Sequence, residues 1–374
     1  MKLRRALFVV HKYLGLTIGI YVVIICTTGA TLILLENRID GFRDYPVVHV
    51  QPSSGARPLD DILATVRQSY PGQRIAHVLK SCQRGCTYDV TLGYGDYDRT
   101  DVLVNPYTGS IVRSISWTHS AVGFLYNFHA DLLSGDTGGL INGVIALVAL
   151  LFVLTGLCLW PGWIRISRGF SIKWRADEWR LNFDLHKVIG SIAVTFLVFI
   201  VLTGASGSLL AEPEMGVPFA AAPHHPGKPL SFDALVARAD VALRGTVTMI
   251  YPAAAGSALV RIRKIVAGDP DPYGWSNVWI DEYTGRVAVV QDATTWSPWW
   301  RFYTWLYPLH IGALGGYAVR YLYVVLGLTP IALYYTGFVM WLNRLKRDEA
   351  VVSARVDRRA PPVQTQAARS GGKK

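Results

Sequence analysis

The 374-residue chain is poor in sulfur, with four cysteines and four methionines. Cys26 and Cys158 fall within long apolar runs, where a lone thiol packs as a small apolar residue. Cys82 and Cys86 lie in a polar segment, where a local disulfide is favoured over a free, redox-active pair. Their C-x3-C spacing is neither a zinc pair nor the C-x-x-C-H of covalently attached haem. Also missing are a G-x-G-x-x-G turn after a strand, a Walker A loop and an H-E-x-x-H helix. No nucleophile–base constellation argues for a hydrolase. No polar segment is large enough to hold both flavin and nicotinamide, so any reducing equivalents arrive from a cytoplasmic reductase or a membrane quinol.

Acidic residues are absent from four runs, Leu14–Leu35, Leu140–Trp160, Val188–Leu210 and Tyr321–Trp341, which carry no charge at all. Each is 21 to 23 residues long, against the ~20 helical residues that span a bilayer core. Met340 is the only methionine within them, which counts against a metal-ion transporter. The amino terminus, Met1-Lys2-Leu3-Arg4-Arg5, resembles a signal peptide. The apolar run behind it exceeds the roughly 7–15 residues of a cleaved signal, so an uncleaved first span is expected.

Charge is distributed by side. Residues 1–13 carry four Lys/Arg and no acid, residues 161–187 six against three, and residues 343–374 nine against three. The long segments 36–139 and 211–320 carry nine against eleven and nine against nine. Lys and Arg accumulate in cytoplasmic loops, so both termini and the 161–187 loop are expected inside. Topology accounts for the whole basic excess of +11, and nucleic-acid binding is not needed to explain it.

Two stretches organise the chain. Val10–Leu35 and Leu185–Leu210 both open on His-Lys, with glycine four residues after the histidine and Thr-Gly at seventeen and eighteen. The residues are His11, Lys12, Gly15 and Thr28-Gly29, then His186, Lys187, Gly190 and Thr203-Gly204. The returning runs match as well: His129 and His310 precede Thr155-Gly156 and Thr336-Gly337 by 26 and 27 residues. Between them, Pro58 and Pro229 each open a short amphipathic helix, followed by strand-like runs and a Tyr-Thr-Gly turn ending at Gly109 or Gly285. The expected fold is an α-helical membrane protein with four transmembrane helices and two external α+β domains in a tandem repeat. Its divisions are 1–35 with the first span, 36–116 as the first external domain, and 117–160 as an interfacial segment and second span. Residues 161–187 form the basic loop, 188–210 the third span and 211–295 the second external domain. Residues 296–342 hold an interfacial segment and the fourth span, and 343–374 a disordered tail from about residue 348.

These motifs, with the Phe128-His129 and Leu309-His310 pairs, resemble the PepSY-associated transmembrane proteins over about residues 5–345. That family includes bacterial inner-membrane siderophore reductases with two b-type haems. The resemblance implies PepSY-like periplasmic domains, two haem b groups and reduction of a periplasmic ferric siderophore or other ferric chelate.

Topology pairs the histidines. His11 and His186 share the cytoplasmic depth, and His129 and His310 the external one, so each pair supplies two axial ligands for one haem. Gly15 and Gly190 leave room for a porphyrin, or serve close helix packing. Gly29 and Gly204 return to the face of the histidine on their own helix. Lys12 and Lys187 either meet haem propionates or are ordinary positive-inside residues. His119 is an alternative ligand or a substrate-side residue. Trp299 and Trp300 belong to an interfacial aromatic belt or a platform for the chelate, with Arg301 and Arg320 facing chelate or propionates. His49 and His77 read as surface residues, and His224-His225 as part of a flexible connector. The rival function is a PepSY-domain binding or regulatory protein without haem, acting on a periplasmic peptidase or other partner.

Overall fold

A computed structural model describes residues 2–38, 48–53, 55–80, 85–93, 95, 97–210, 227–271 and 273–359. Cys82, His224-His225 and residues 360–374 lie outside the described residues. Four helices are long and apolar enough to cross a membrane. They are α1 (Lys2–Arg38), α4 (Gly135–Leu159), α6 (Glu178–Leu209) and the pair α9 (Gly316–Gly327) and α10 (Thr329–Arg359). The remaining helices are α2 (Leu59–Ser69), α3 (Ala121–Asp131), α5 (Ile166–Phe170), α7 (Phe232–Ala242) and α8 (Pro298–His310).

The spanning helices close a ring in which α1 and α6 each pack on both α4 and α10. Their outward faces expose Ile20, Leu151, Ile192 and Val325, each at 50% or more. Water would not tolerate so many exposed large apolar side chains on one belt, whereas lipid does. The fourth span, expected to be uninterrupted, breaks at Leu328 between α9 and α10. Pro330 follows two residues later and has no amide to continue the ladder. Beyond the membrane run, α10 continues as helix to Arg359, so the expected tail is helical for its first turns.

The strands are β1 (Ile75–Lys80), β2 (Tyr88–Leu92), β3 (Thr100–Val104), β4 (Ile111–Ser116), β5 (Thr246–Tyr251), β6 (Leu259–Ile265), β7 (Ser276–Asp281) and β8 (Val287–Gln291). They form one eight-stranded antiparallel sheet in the order β4-β3-β2-β1-β5-β6-β7-β8. The two external units are therefore not separate domains. Each is a helix followed by a four-stranded meander, and a meander leaves its first strand with an open edge. Here β1 and β5 close each other's edges, through Val78 opposite Ile250 and Leu79 opposite Met249. The helices are joined in the same way: Asp60 accepts from the Phe232 amide at 2.9 Å and Asp233 from the Leu59 amide at 3.0 Å. Each carboxylate thus caps the other unit's helix, satisfying an orphan amide and the helix dipole.

The shared core lies between these helices and one face of the sheet. Ile62, Leu63 and Val66 of α2 and Leu235 of α7 meet Val78, Val90, Val102, Ile250, Ile262 and Val278. Full burial of each such side chain contributes about 1.5–3 kcal/mol. The two Tyr-Thr-Gly turns end the third strand of each meander in the same geometry. The side chains of Asn105 and Asp281 accept from the amides two and three residues on, at 2.8 to 3.3 Å. Gly109 and Gly285 then take φ of 75° and 69°, the left-handed region that favours glycine.

The opposite face of the sheet is polar yet buried. Asp89, Thr91 and Asp101 lie on it, and Arg99 pairs with Asp101 at 2.7 Å. His77, read from sequence as a surface residue, lies there instead with its ring 5.3 Å from Tyr251. Burial, with Arg99, Arg261 and Arg263 nearby, holds its imidazole down to about 3. Burial and the neighbouring Asp101 push the Asp89 carboxyl well above the usual carboxylate range, with Arg99 opposing. Both Asp89 oxygens lack a hydrogen bond.

A group with a raised folded-state pKa favours folding below its unfolded value and loses that contribution as pH rises. Asp89→Asn keeps the shape of the protonated acid without the ionisation penalty. The variant is expected to melt above wild type at about pH 8, with the gap closing by about pH 4. Thermal unfolding in detergent checks this, and a variant melting below wild type at the higher pH contradicts it.

Candidate functional site

Four histidine rings meet as two pairs. His11 on α1 and His186 on α6 have ring centres 6.2 Å apart, nearly perpendicular at 83°. His129 on α3 and His310 on α8 have ring centres 6.1 Å apart, tilted by 42°. All four are half-buried. Each pair takes one ring from each half of the chain.

Every ring rests on a Thr-Gly dyad of a neighbouring helix. The Nδ1 of His11 lies 3.0 Å from Thr155 Oγ1, and that of His129 lies 2.9 Å from Thr28 Oγ1. In the second half, His186 Nδ1 lies 2.9 Å from Thr336 Oγ1 and His310 Nδ1 lies 3.0 Å from Thr203 Oγ1. The adjoining glycines supply the space. A Cβ on Gly29, Gly156 or Gly204 would stand 2.8 to 3.0 Å from the Cε1 of His129, His11 or His310, and one on Gly337 3.5 Å from that of His186.

The hydrogen bonds determine the tautomer. Each threonine hydroxyl has one proton, and each donates it to a carbonyl of its own helix. Thr28 donates to Ile25, Thr155 to Phe152, Thr203 to Phe199 and Ile200, and Thr336 to Ala332 and Leu333. The oxygen can then only accept from the ring, so Nδ1 carries the hydrogen. Carbonyl oxygens of Phe152 and Ile25, 3.3 and 3.1 Å from Nδ1 of His11 and His129, require the same. Nε2 is left with a lone pair on all four rings.

Neutral imidazole with a bare Nε2 and an anchored Nδ1–H is the form that ligates metals. Two imidazoles bonded end-on to one ion at about 2.0–2.1 Å per bond have ring centres roughly 6.3 Å apart. Both separations match that value. Among the described residues no three His, Cys, Asp or Glu converge. Each pair offers an ion two imidazole donors, the number that a bis-histidine haem takes.

The other expected site residues divide. Gly15 and Gly190 face Phe152 and Leu333 across ordinary contacts of 3.4 and 3.6 Å. Gly29 and Gly204 do not serve the histidine of their own helix; they floor His129 and His310 at the far end of it. Lys187 is buried, and its ammonium is committed to Asp184 at 2.6 Å. Asp184 also receives Arg180 at 3.2 Å and the Lys173 amide at 3.1 Å, which ties the 161–187 loop to α6. Lys12 instead lies over the Tyr13 ring at 4.1 Å. His119 is exposed, just before the Ser120 cap of α3. Trp300 packs on Tyr303, and Trp299 on Phe302. Arg301, Phe302 and Trp305 line an open groove of about 420 Å³ that ends at Leu309, beside His310. Arg320 is half-buried on α9.

One polar residue escaped sequence reasoning. Asn142, buried in α4, donates to the backbone carbonyls of His129 and Ala130 at 2.8 and 2.9 Å and accepts from the Tyr21 hydroxyl. It satisfies the end of α3, where Leu132 and Leu133 take positive φ. An amide side chain at membrane depth was the available signal. Cys86 is disulfide-bonded, and Cys26 and Cys158 are free.

Residues 8–344 match the family described as the PepSY-associated TM region, so the chain belongs to that family and is a multi-pass membrane protein. No curated protein matches the chain.

The two lysines after the motif histidines are not equivalent. Lys187→Met leaves Asp184 short of its closest cation and is expected to cost about 1–3 kcal/mol. Lys12→Met is expected to stay within about 0.5 kcal/mol. Denaturant titration of the two variants in one detergent checks the difference.

Proposed function

We propose that this PepSY-associated transmembrane protein is a di-haem b electron-transfer protein that reduces a ferric chelate outside the cytoplasmic membrane. The observation that carries the reading is the pair of imidazole couples, each with Nδ1 anchored and Nε2 free, at separations that suit one ion apiece. His11 and His186 would hold the haem near the basic side, and His129 and His310 the one near the sheet. Haem iron, when bound, supplies one-electron chemistry at a potential set by its axial ligands and surroundings.

The chain's own residues do the rest. The threonines orient the rings, and the apolar bundle keeps water from them. Charge distribution supports an inner-membrane orientation with both termini and the 161–187 loop cytoplasmic. The electron donor is then a quinol or a cytoplasmic reductase, since no nucleotide motif is present in the sequence. The groove of Arg301, Phe302 and Trp305, with Trp299 packed on Phe302, offers a cation and aromatic faces to a bulky ferric chelate such as a siderophore. One electron converts its Fe(III) to Fe(II), which hard oxygen donors hold less tightly. Matching motifs, helices and meanders support reading the chain as a tandem repeat, with one ligand of each pair from each copy.

A pyridine haemochrome assay on the purified protein is expected to find two haems per chain. His11→Ala with His186→Ala should remove one of them, and His129→Ala with His310→Ala the other. Anaerobic addition of a ferric siderophore should reoxidise the reduced protein. Absence of haem absorbance, or full haem content after replacing all four histidines, overturns the reading in favour of a binding or regulatory protein.

A further inference from the structure

The repeated Thr-Gly dyads have a role that helix packing alone does not require. Packing needs the glycine at Gly29, Gly156 and Gly204, where a Cβ would press on the imidazole, but it does not need a hydroxyl beside it. In all four dyads the hydroxyl accepts from Nδ1, at 2.9 to 3.0 Å. Each dyad also belongs to the same half of the chain as the ring it holds. Thr28 and Thr155 hold His129 and His11, while Thr203 and Thr336 hold His310 and His186.

We propose that Thr28, Thr155, Thr203 and Thr336 are positioning residues that orient the rings, reinforce the tautomer that backbone carbonyls also favour at His11 and His129, and set the redox potential of the two haem sites. The inference rests on the di-haem reading. An Nδ1–H donated to oxygen strengthens electron donation from Nε2 to a bound metal, which favours the oxidised ion. Because each hydroxyl proton is already given to a carbonyl of its own helix, the threonine cannot reverse the bond and stabilise the other tautomer. The register makes the effect local: Thr28 and Thr203 act on the His129–His310 site, and Thr155 and Thr336 on the His11–His186 site.

The test uses the haem-loaded full-length protein in detergent, with spectroelectrochemical titration and low-temperature EPR. Thr28→Val keeps the side-chain shape and removes the hydroxyl acceptor, leaving the Ile25 carbonyl, 3.1 Å from Nδ1, as the remaining one. It should raise the midpoint potential of one haem, move that haem's g-values and leave the second haem unchanged. Thr155→Val should do the same to the other haem. Affinity for the affected haem should fall about 10–100-fold, as for other outer partners of metal-bound histidine. Thr28→Ser and Thr155→Ser restore the oxygen and should restore the wild-type values.

Valine variants that keep both haems with unchanged potentials and g-values overturn the inference, while the di-haem reading stands. A wild-type protein without haem overturns that reading, and this inference with it. A measurement on wild type does not depend on the variants folding. The ligand ring N–H protons, held between threonine and imidazole, should exchange slowly with deuterium oxide in NMR spectra. Exchange at the rate of a solvent-exposed imidazole overturns the proposal.

Discussion

An imidazole among apolar helices has two nitrogens to satisfy, and the membrane half of this protein is arranged around that requirement. Water is not there to do it, so one nitrogen must bond to the protein. Each threonine hydroxyl spends its single proton on its own helix and leaves only an accepting oxygen toward the ring. Nδ1 must then carry the hydrogen, and Nε2 keeps its lone pair. The same contact dictates the residue after the threonine. A ring seated this close to a helix backbone leaves no room for a Cβ, hence Gly29, Gly156 and Gly204. Helix order follows in turn, because α1 must lie against both α3 and α4, and α6 against both α8 and α10.

The two parts of the molecule are held together by different forces. Between lipid-exposed helices the hydrophobic effect supplies little, since a leucine gains nothing by exchanging lipid for protein. Close approach at glycine, hydrogen bonds at Thr, His and Asn142, and the buried Asp184–Lys187 pair carry the bundle. In the sheet region the ordinary core does the work, with α2 and α7 covering one face. The other face holds charge at a cost, most plainly at Asp89. That region is tied together by its continuous eight-stranded ladder and the crossed Asp60 and Asp233 caps. β4 and β8, the two outer edges of that sheet, lead into α3 and α8, and it is their packing on α1 and α6 in the helical bundle that brings His129 to His310.

Much of this was legible in the chain. The spans showed as charge-free runs, and the strand-like runs and Tyr-Thr-Gly turns expected after each short helix are strands and turns in the structure. The histidine pairing followed from depth, because rings at one level of a small bundle have few alternatives. Other features were hidden. What separates Lys187 from Lys12 is local, Asp184 three residues before one and Val9 three before the other, but the repeat comparison looked at what the two stretches share and passed over it. His77 read as a surface residue because strand alternation does not say whether a second face is covered. Gly29 and Gly204 were assigned to the wrong histidines, because helical periodicity relates residues within one helix and is silent about the next.

By itself, the sequence determined the number and length of the spans, the pairing levels of the four histidines and the two helix-plus-meander units. These depend on composition and on periods within single elements, which a linear reading captures. Only the tertiary structure decided that the two meanders join through β1 and β5 into one sheet, which threonine holds which ring, and that Nε2 is the nitrogen left unbonded on every histidine. Those outcomes depend on contacts between residues more than 100 positions apart in sequence. No local pattern encodes such contacts, because which helix or strand edge lies alongside is settled by the packing of the whole.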